Sequence, residues 1–496
     1  MSSVTPTAAR HDAEAQQTGK TFLAQLLIWL AVLTAMRIAG NAFANTDLFF
    51  DEAQYWFWSR ELAFGYFSKP PLIGWIIRGA TEICGSGEAC IRAPSAILHG
   101  GTAIVVFFIA KTLYNARLGF WAGLTYATLP GVSLSSSLIS TDAPLLFFVA
   151  LGLLSLVKLR ENSGWRWALL LSVAIGFGFL AKYAMVYFLM CLAIALVCIR
   201  SWRDLLVDVR LYAALALGFS ILAPNIIWNI QNSFATFSHT ADNANWSGSL
   251  VKPLKALEFV GGQFGVFGPI LFACLAVYCV RWLFNTGLRN EGGDRIKLLL
   301  AFSIPVILLM TGQALLSRAH ANWAAFAYVA ATVLIVAVLT REGWRRLMQT
   351  SLAIHLAVAL LIPVGGVLAG SFMLPGGADP YSRVLGWRAL ADRVEVEADI
   401  GGYRAIATDK RALAAELLYY LRDSDIPIVS LRGDGPPSDH FEMTRPLTEA
   451  TPSPVLFVGY DENGPSGSRP IGSAVIAAGP SASRRIHFHA LENSGR

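Results

Sequence analysis

Long apolar runs recur through the first three quarters of the chain and limit what it can fold into. About eleven of them have the roughly 17 to 25 residues that an α-helix needs to cross a bilayer. They lie near residues 21–44, 93–110, 118–138, 142–159, 167–181, 184–199, 211–229, 256–280, 298–316, 322–340 and 349–373. A mean hydropathy of +0.51 over 496 residues, with 15% charged residues, is too apolar for a soluble protein of this size. The sequence predicts an α-helical polytopic membrane protein with about eleven transmembrane helices.

The charge balance changes near residue 373. Residues 1–373 carry 26 basic and 17 acidic side chains, whereas residues 374–496 carry 13 and 16 and have the composition of a soluble domain. We therefore predict a transmembrane domain over 1–373 and a small C-terminal α/β domain over 374–496. Its predicted elements are a helix at 410–422 and strands at 403–408, 427–431 and 455–460. His487 and His489, near the chain end, are expected in a solvated tail.

Basic residues concentrate in alternate short connections between the apolar runs, as membrane topology requires. The positive-inside rule places those connections in the cytoplasm, so nucleic acid is not a predicted partner. The other connections and the C-terminal domain then lie on the outer, periplasmic face of a bacterial cytoplasmic membrane. This assignment gathers separated polar residues on one side and predicts a site there, formed by Asp51, Glu52, Lys69, Asp142, Lys182, His239 and His320.

The loop after the first apolar run combines acids, aromatics and a lysine. An adjacent carboxylate pair, Asp51 and Glu52, can supply a general base at a bilayer boundary. The alternative is that both acids only cap a short surface helix. Lys69 precedes Pro70-Pro71, which are expected to hold the following backbone extended, and a cation fixed in this way suits a phosphate.

Three further segments carry candidate residues, each with a structural alternative. Lys182, at the outer end of a run, can bind phosphate or only snorkel. Asp142 can cap the helix that it opens, orient an acceptor or bind a cation. Arg318 can contact phosphate or carboxylate and His320 can donate to an oxyanion or bind a metal, unless the two belong to an interfacial belt. A fourth segment, 225–246, has the amides and aromatics that suit a sugar, and the alternative is an ordinary polar outer loop.

Two of the six cysteines lie in the long outer loop. Cys84 and Cys90 flank a short flexible segment in an oxidising compartment, which favours a disulfide. A metal site is less favoured because no histidine lies nearby. The other four cysteines fall within apolar runs.

The order of three motifs resembles the GT-C membrane glycosyltransferases. The motifs are Asp51-Glu52-Ala53-Gln54-Tyr55-Trp56, Tyr66-Phe67-Ser68-Lys69-Pro70-Pro71-Leu72 and Ser140-Thr141-Asp142-Ala143-Pro144. The chain is most similar to bacterial relatives of the protein O-mannosyltransferases, the lipid A aminoarabinose transferases and the lipopolysaccharide-core galacturonosyltransferases. The resemblance covers residues 20 to about 373.

This resemblance implies an inverting transfer of a sugar from a polyprenyl-phosphate donor to an envelope acceptor outside the cytoplasmic membrane. Lipid A or the lipopolysaccharide core is the favoured acceptor, and a protein acceptor is an alternative. By position in the motifs, Asp51 would be the catalytic carboxylate and Glu52 its neighbour. Lys69 would bind the donor phosphate, with Lys182 and Arg318 as candidate helpers. Candidates for acceptor contact or an auxiliary role are Tyr55, Tyr66, Asp142 and His320.

The sequence does not indicate a cofactor. The outer loops contain no clear set of zinc ligands, so a divalent metal stays open without being predicted. Two other classes compete with the enzyme: a multi-span secondary transporter and a structural or assembly subunit. A transporter would favour internal repeats and charges at the bilayer midplane, whereas the charges here collect at one rim. Arg37, inside the first run, is the main exception and is expected to snorkel.

Overall fold

A computed structural model of the chain describes residues 6–161, 164–242, 251–291 and 293–491 and is mainly helical. Among these residues, six helices are long and apolar enough to span a membrane: Gly19–Ala42 (the apolar part of Pro6–Ala42), Glu88–Leu113, Asp142–Glu161, Val209–Gln231, Gly293–Leu316 and Arg345–Val367. The fifth of these, Gly293–Leu316, has a brief break between Gly293–Ala301 and Ile304–Leu316 and counts as one span by length and composition. The chain is thus a multi-span membrane protein.

Two helix pairs are apolar enough to span but bend sharply at a break. Tyr183–Cys198 meets Arg200–Val207 at 116°, and Pro253–Val266 meets Pro269–Phe284 at 119°. Counting each pair as one span gives up to eight. Trp165–Ala181 and Ala327–Arg341 are apolar but shorter.

The predicted apolar runs are all helical, but not all are single straight helices. The run at 118–138 is split into Ala116–Thr128 and Pro130–Ser135. The run at 256–280 breaks at Gly268, which has φ +93°, immediately before Pro269. Proline lacks an amide hydrogen and fits best in a first turn, so each proline starts a new helix.

The chain divides into two compact units. The first, here called the membrane unit, comprises residues 1–38, 95–230 and 240–362. The second, here called the loop–tail unit, comprises residues 39–94, 231–239 and 363–496. The predicted boundary at 373/374 stays a prediction, and the long loop belongs with the tail in this division.

The loop–tail unit contains helices Phe50–Arg60, Leu72–Cys84, Trp387–Gly401, Arg411–Tyr420 and His440–Thr444. Asp47 Oδ2 accepts from the amide of Trp387 (2.7 Å) at the start of helix Trp387–Gly401, where an anion is favoured. Burial raises the pKa of Asp47 above its usual range, against the opposing effect of that amide. Two other short helices of the chain are Ala235–Asp242 and Thr286–Glu291.

A five-stranded sheet forms the centre of the tail, in the order β2-β1-β3-β5-β4. The strands are β1 Ala405–Thr408, β2 Ile428–Ser430, β3 Val455–Gly459, β4 Arg469–Ala477 and β5 Ser483–Leu491. β1 is parallel to β2 and β3, and β5 is antiparallel to β3 and β4. The predicted α/β domain is therefore confirmed.

Helices Trp387–Gly401 and Arg411–Tyr420 pack on this sheet through a shared apolar core. Buried members from the helices and strands are Leu390, Val394, Leu413, Leu417, Ile406, Leu456, Ile486 and Phe488. The expectation that His487 and His489 lie in a solvated tail is wrong. Both are in β5, between β3 and β4, and His489 is buried with its ring nitrogen 3.2 Å from the hydroxyl of Ser468.

Candidate functional site

The two adjacent acids of the long loop have different surroundings. Glu52 is fully buried, and its carboxylate accepts from the guanidinium of Arg92 at 2.8 Å and from the amide of Phe49 at 2.9 Å. Arg92 also donates to the hydroxyl of Thr46 and the carbonyl of Asp47. Glu52 therefore caps helix Phe50–Arg60 and neutralises a buried cation.

Asp51 does not cap this helix and is only partly buried. Its Oδ1 accepts from Arg411 Nη1 at 2.9 Å, and the same nitrogen donates to Gln54 Oε1 at 2.8 Å. The guanidinium also lies over the ring of Phe50, 4.8 Å from its centroid. We call Phe50, Asp51, Gln54 and Arg411 the Asp51 cluster. With 37% of its side chain exposed, Asp51 can both reach solvent and keep one orientation.

Tyr55 and Tyr66 are buried among aromatic rings, and their predicted acceptor or auxiliary role stays a prediction. Tyr66 stacks on Trp58 at 4.5 Å and donates its hydroxyl to the carbonyl of Trp58 at 2.8 Å. Burial raises the pKa of Tyr66 above its usual range. Tyr55 is buried 5.2 Å from the ring of Trp58, and His440 packs edge-on to Trp58 and Tyr66. Burial, followed by the charge of Arg445, lowers the pKa of His440 to about 3.

Lys69 is half-buried at the turn that precedes helix Leu72–Cys84. Its carbonyl accepts from the amide of Tyr66 at 3.1 Å, which closes the turn. Pro71 has helical dihedral angles (φ −80°, ψ −19°), so the expected extended backbone is wrong at that residue. Pro70 and Pro71 lie between Lys69 and the first residue of this helix and restrict the backbone there.

In the membrane unit, Asp142 joins two of the predicted outer segments. Its Oδ1 accepts from Lys182 Nζ at 2.5 Å and its Oδ2 from Asn322 Nδ2 at 2.7 Å. We call Asp142, Lys182 and Asn322 the Asp142 cluster. Beside it, Tyr183 donates to the side-chain oxygen of Asn225 at 2.7 Å. Residues 243–246 of the amide-rich segment 225–246 lie outside the described residues.

The Asp142 cluster borders a cavity of about 400 Å³. The polar residues in its wall are His99, Tyr126, Ser135, Ser140, Asp142, His320, Asn322 and Tyr328. Most of the remaining wall is aliphatic. A mostly apolar cavity with a few converging polar groups is typical of a small-molecule site.

The other candidates lie at or near the surface. Arg318 is exposed, and His320 is exposed with its ring 5.4 Å from that of Trp323. Cys84 and Cys90 form a disulfide, with Cα atoms 5.8 Å apart. Within the part of the chain that the structure describes, no three His, Cys, Asp or Glu residues are grouped closely enough to hold a metal ion.

Comparison with known proteins connects these features to one family. Residues 68–228 match the family described as dolichyl-phosphate-mannose-protein mannosyltransferase. The lipid A galacturonosyltransferase RgtD of Rhizobium johnstonii is 38% identical over 87% of this chain and 90% of its own length. The chain belongs to the RgtD family of GT-C membrane glycosyltransferases. The lipopolysaccharide core galacturonosyltransferase RgtA of the same species is 26% identical over 57% of this chain and 59% of its own.

Solved structures of GT-C glycosyltransferases share the fold. ArnT from Cupriavidus metallidurans, in the apo state, aligns with a TM-score of 0.62 over 94% of this chain and 98% of its own, at 16% identity. The oligosaccharyltransferase of Archaeoglobus fulgidus aligns with a TM-score of 0.51 over 81% and 62%, at 13% identity. The predicted GT-C resemblance and the enzyme class are confirmed. The family favours a glycosyltransferase over the transporter and the scaffold.

Several residues of the glycosyltransferase were not predicted as site residues. Arg411 is 360 positions from Asp51 in the sequence, and no local pattern links the two. Asn322 lies two residues after His320, and the sequence analysis assigned it no role. His99, by contrast, could have been selected from the sequence, because a histidine within an apolar run is a candidate functional residue.

Proposed function

We propose that this glycosyltransferase transfers a hexuronic acid, galacturonic acid in the first instance, from a polyprenyl-phosphate donor to lipid A at the periplasmic face. RgtD, whose name gives lipid A as its substrate, is similar over nearly the whole chain, whereas RgtA is similar over little more than half. ArnT from Cupriavidus metallidurans has been solved bound to undecaprenyl phosphate, which supports a polyprenyl-phosphate donor.

The observation that carries the proposal is the difference in contacts and exposure between Asp51 and Glu52. Glu52 contacts Arg92 and the start of the helix, whereas Asp51 is partly exposed and accepts from Arg411 on Oδ1. The second oxygen, Oδ2, is the one that we assign to the acceptor. Asp51 is thus the catalytic base, and Glu52 keeps the helix in place.

The reaction is a single displacement at the anomeric carbon. The acceptor hydroxyl gives its proton to Asp51 while its oxygen bonds to that carbon. The bond from the carbon to the phosphate oxygen breaks, and polyprenyl phosphate leaves with the electron pair. A base within hydrogen-bond reach typically contributes about 10²- to 10⁴-fold to such a step. One displacement inverts the anomeric configuration.

The cations of the site have proposed roles in neutralising the leaving phosphate. Lys69, fixed by the turn before Leu72–Cys84, is the first of them, because a positioned cation stabilises charge that develops in a water-poor site. Lys182 is held by Asp142, so we propose that Asp142 orients this lysine. Arg318 and His320 stay candidates for the donor phosphate and for an auxiliary role. Arg411 is a positioning residue for Asp51.

The test uses the purified full chain in detergent with polyprenyl-phosphate galacturonic acid. Lipid A, a lipopolysaccharide core and a serine-rich peptide are offered as acceptors in parallel, and products are identified by mass spectrometry and NMR. We expect one uronic acid to be added to lipid A with inverted configuration. Modification of the peptide alone, or a retained configuration, would contradict the proposal.

A further inference from the structure

Arg37 is a buried cation that the proposed mechanism does not use. It lies in the apolar helix Gly19–Ala42 and is only 4% exposed, so the expectation that it snorkels is wrong. Its Nη2 donates to the carbonyl of Ala127 at 2.5 Å and to the hydroxyl of Ser133 at 3.2 Å. Its Nε is buried without a hydrogen-bond partner among the described residues. A charge held at this depth is costly and generally has a function.

No carboxylate within the described ranges neutralises Arg37. Its two oxygen partners are neutral, and it takes part in none of the ion pairs between described residues. Arg37 therefore leaves a net positive charge inside the membrane unit. Such a charge favours an anion in any adjoining space from which water is excluded.

The adjoining space is the cavity of the membrane unit. Arg37 contacts Ser133, two residues before Ser135 in helix Pro130–Ser135, and Ser135 lines the cavity. Arg37 also donates to the carbonyl of Ala127, which follows Tyr126 in the chain, and Tyr126 and His99 both line the cavity. The charge thus lies behind the wall that these three residues form.

The wall itself offers neutral hydrogen-bonding groups. His99 is 2.9 Å from the hydroxyl of Ser135 through Nε2 and 3.3 Å from the hydroxyl of Tyr126 through Nδ1. Hydroxyl and imidazole N–H groups can turn toward a carboxylate. Asp142, the one acid among the lining residues, is already paired with Lys182. The wall therefore contains no uncompensated negative charge that would repel an anion.

We propose that this wall, with the charge of Arg37 behind it, selects the carboxylate of the donor's sugar. The inference rests on the proposed function and deepens it, because it assigns the preference for a uronic acid to named residues. His99, Ser135 and Tyr126 would contact the carboxylate, and Arg37 would supply the charge. A phosphate is the other anion that the donor carries, so the test must separate the two.

Binding to the full chain in nanodiscs, without any acceptor, separates them. Three lipids are compared: polyprenyl phosphate, polyprenyl-phosphate galactose and polyprenyl-phosphate galacturonic acid. Galactose differs from galacturonic acid only in having a CH₂OH group in place of the carboxylate. We expect Arg37→Gln to weaken the binding of polyprenyl-phosphate galacturonic acid alone, by about tenfold or more. Arg37→Lys should retain most of the preference for this lipid over polyprenyl-phosphate galactose. Ser133→Ala, which keeps the charge, is the matched control and should retain it as well.

Equal losses for all three lipids in Arg37→Gln would overturn the inference, because the charge would then serve the phosphate. Unchanged binding of all three would overturn it too. If Arg37→Gln does not fold, Ser135→Ala provides the test, since it removes a hydroxyl of the wall. Ser135→Ala should weaken the binding of polyprenyl-phosphate galacturonic acid and leave the binding of polyprenyl-phosphate galactose unchanged. Equal losses of affinity for the two lipids would contradict the inference. Wild-type protein that binds none of the lipids would contradict the proposed function itself.

Discussion

At the scale of single residues, the proposed role of Asp51 depends on a contact between the long loop and the tail. Arg411 bridges Asp51 Oδ1 and Gln54, and we assign Asp51 Oδ2 to the acceptor. A charge-assisted hydrogen bond is among the stronger contacts in proteins, although about a third of each side chain is exposed here. Arg411 should therefore influence the orientation of the base more than the stability of the fold.

Replacing Arg411 tests this role. Arg411→Gln should lower kcat by about tenfold, since the contribution of a hydrogen bond to a charged group is reduced by solvent. KM should change little, because Arg411 orients the base and does not bind the donor. Arg411→Lys should recover part of the activity. Arg432→Gln, at an exposed arginine that donates to the carbonyl of Gly435, is the control. A rise in KM with unchanged kcat would refute the positioning role.

Glu52 should behave as a structural residue. Its ion pair with Arg92 is almost completely buried, with 2% and 3% of the side chains exposed. Removing one partner of a buried pair leaves an uncompensated charge and costs about 3–5 kcal/mol. Glu52→Gln should thus lower the thermal stability of the chain markedly. Glu61→Gln, which breaks the exposed pair with Arg445, should cost about 1 kcal/mol or less. A stable but inactive Glu52→Gln protein would restore Glu52 to a catalytic role.

The residue pattern of the sequence predicted candidate residues, but not their partners. Asp51, Lys69 and Asp142 were candidates because polar groups are rare beside apolar runs. Neither Arg411 nor Asn322 could be assigned, since their contacts depend on the folding of distant segments. The sequence also treated Asp51 and Glu52 as one carboxylate pair. The two side chains point in different directions on a helix, and the sequence does not show which of them faces the protein interior.

At the scale of elements, prediction succeeded where the apolar periodicity was strong. β1, β2 and β3 and the helix between β1 and β2 were predicted within a few residues. β4 and β5 were not, because β4 contains proline and glycine and is largely exposed, and β5 mixes charged residues with apolar ones. Helix Trp387–Gly401 was not predicted from the sequence.

Helix Arg411–Tyr420 carries a buried acid, Glu416, that should make the tail sensitive to pH. Both of its carboxylate oxygens are buried without a hydrogen-bond partner among the described residues. Burial, followed by the negative charges of Asp47 and Glu52, raises its pKa well above 4.5, and Arg484 and Arg92 oppose this only in part. The folded state therefore holds a proton that the unfolded state has already lost above pH 4.5.

Because the pKa of Glu416 is higher in the folded state than in the unfolded state, its protonation contributes to the free energy of unfolding. This contribution is fully present below pH 4.5 and decreases as the pH rises toward the folded-state pKa. The slope from one such group is at most about 1.4 kcal/mol per pH unit. Glu416→Gln should flatten this decrease when melting temperatures are measured from pH 5 to 8. Glu462→Gln, at an exposed position, should leave it unchanged. Parallel curves for wild type and Glu416→Gln would show that the acid is not protonated in the fold.

At the scale of the whole molecule, topology is the prediction with the widest consequences. Charge bias alone places the long loop and the tail in the periplasm. In a variant with serine at the four free cysteines, Asp423→Cys marks the tail and Arg346→Cys marks a predicted cytoplasmic connection. A membrane-impermeant maleimide should label Asp423→Cys in intact spheroplasts and Arg346→Cys only after lysis. The reverse pattern would exclude a periplasmic site.

The central claim is that Asp51 is the base of a lipid A glycosyltransferase, and lipid A from living cells tests it most directly. Cells lacking the gene are supplied with wild type, Asp51→Asn or Asp423→Asn at equal membrane levels, and their lipid A is analysed by mass spectrometry. Asp423 is the matched control because its side chain is 92% exposed. We predict that wild type and Asp423→Asn add a uronic acid to lipid A and that Asp51→Asn, which loses about 10²- to 10⁴-fold in rate, adds none. Normal modification by Asp51→Asn, or identical lipid A with and without the wild-type protein, would contradict the claim.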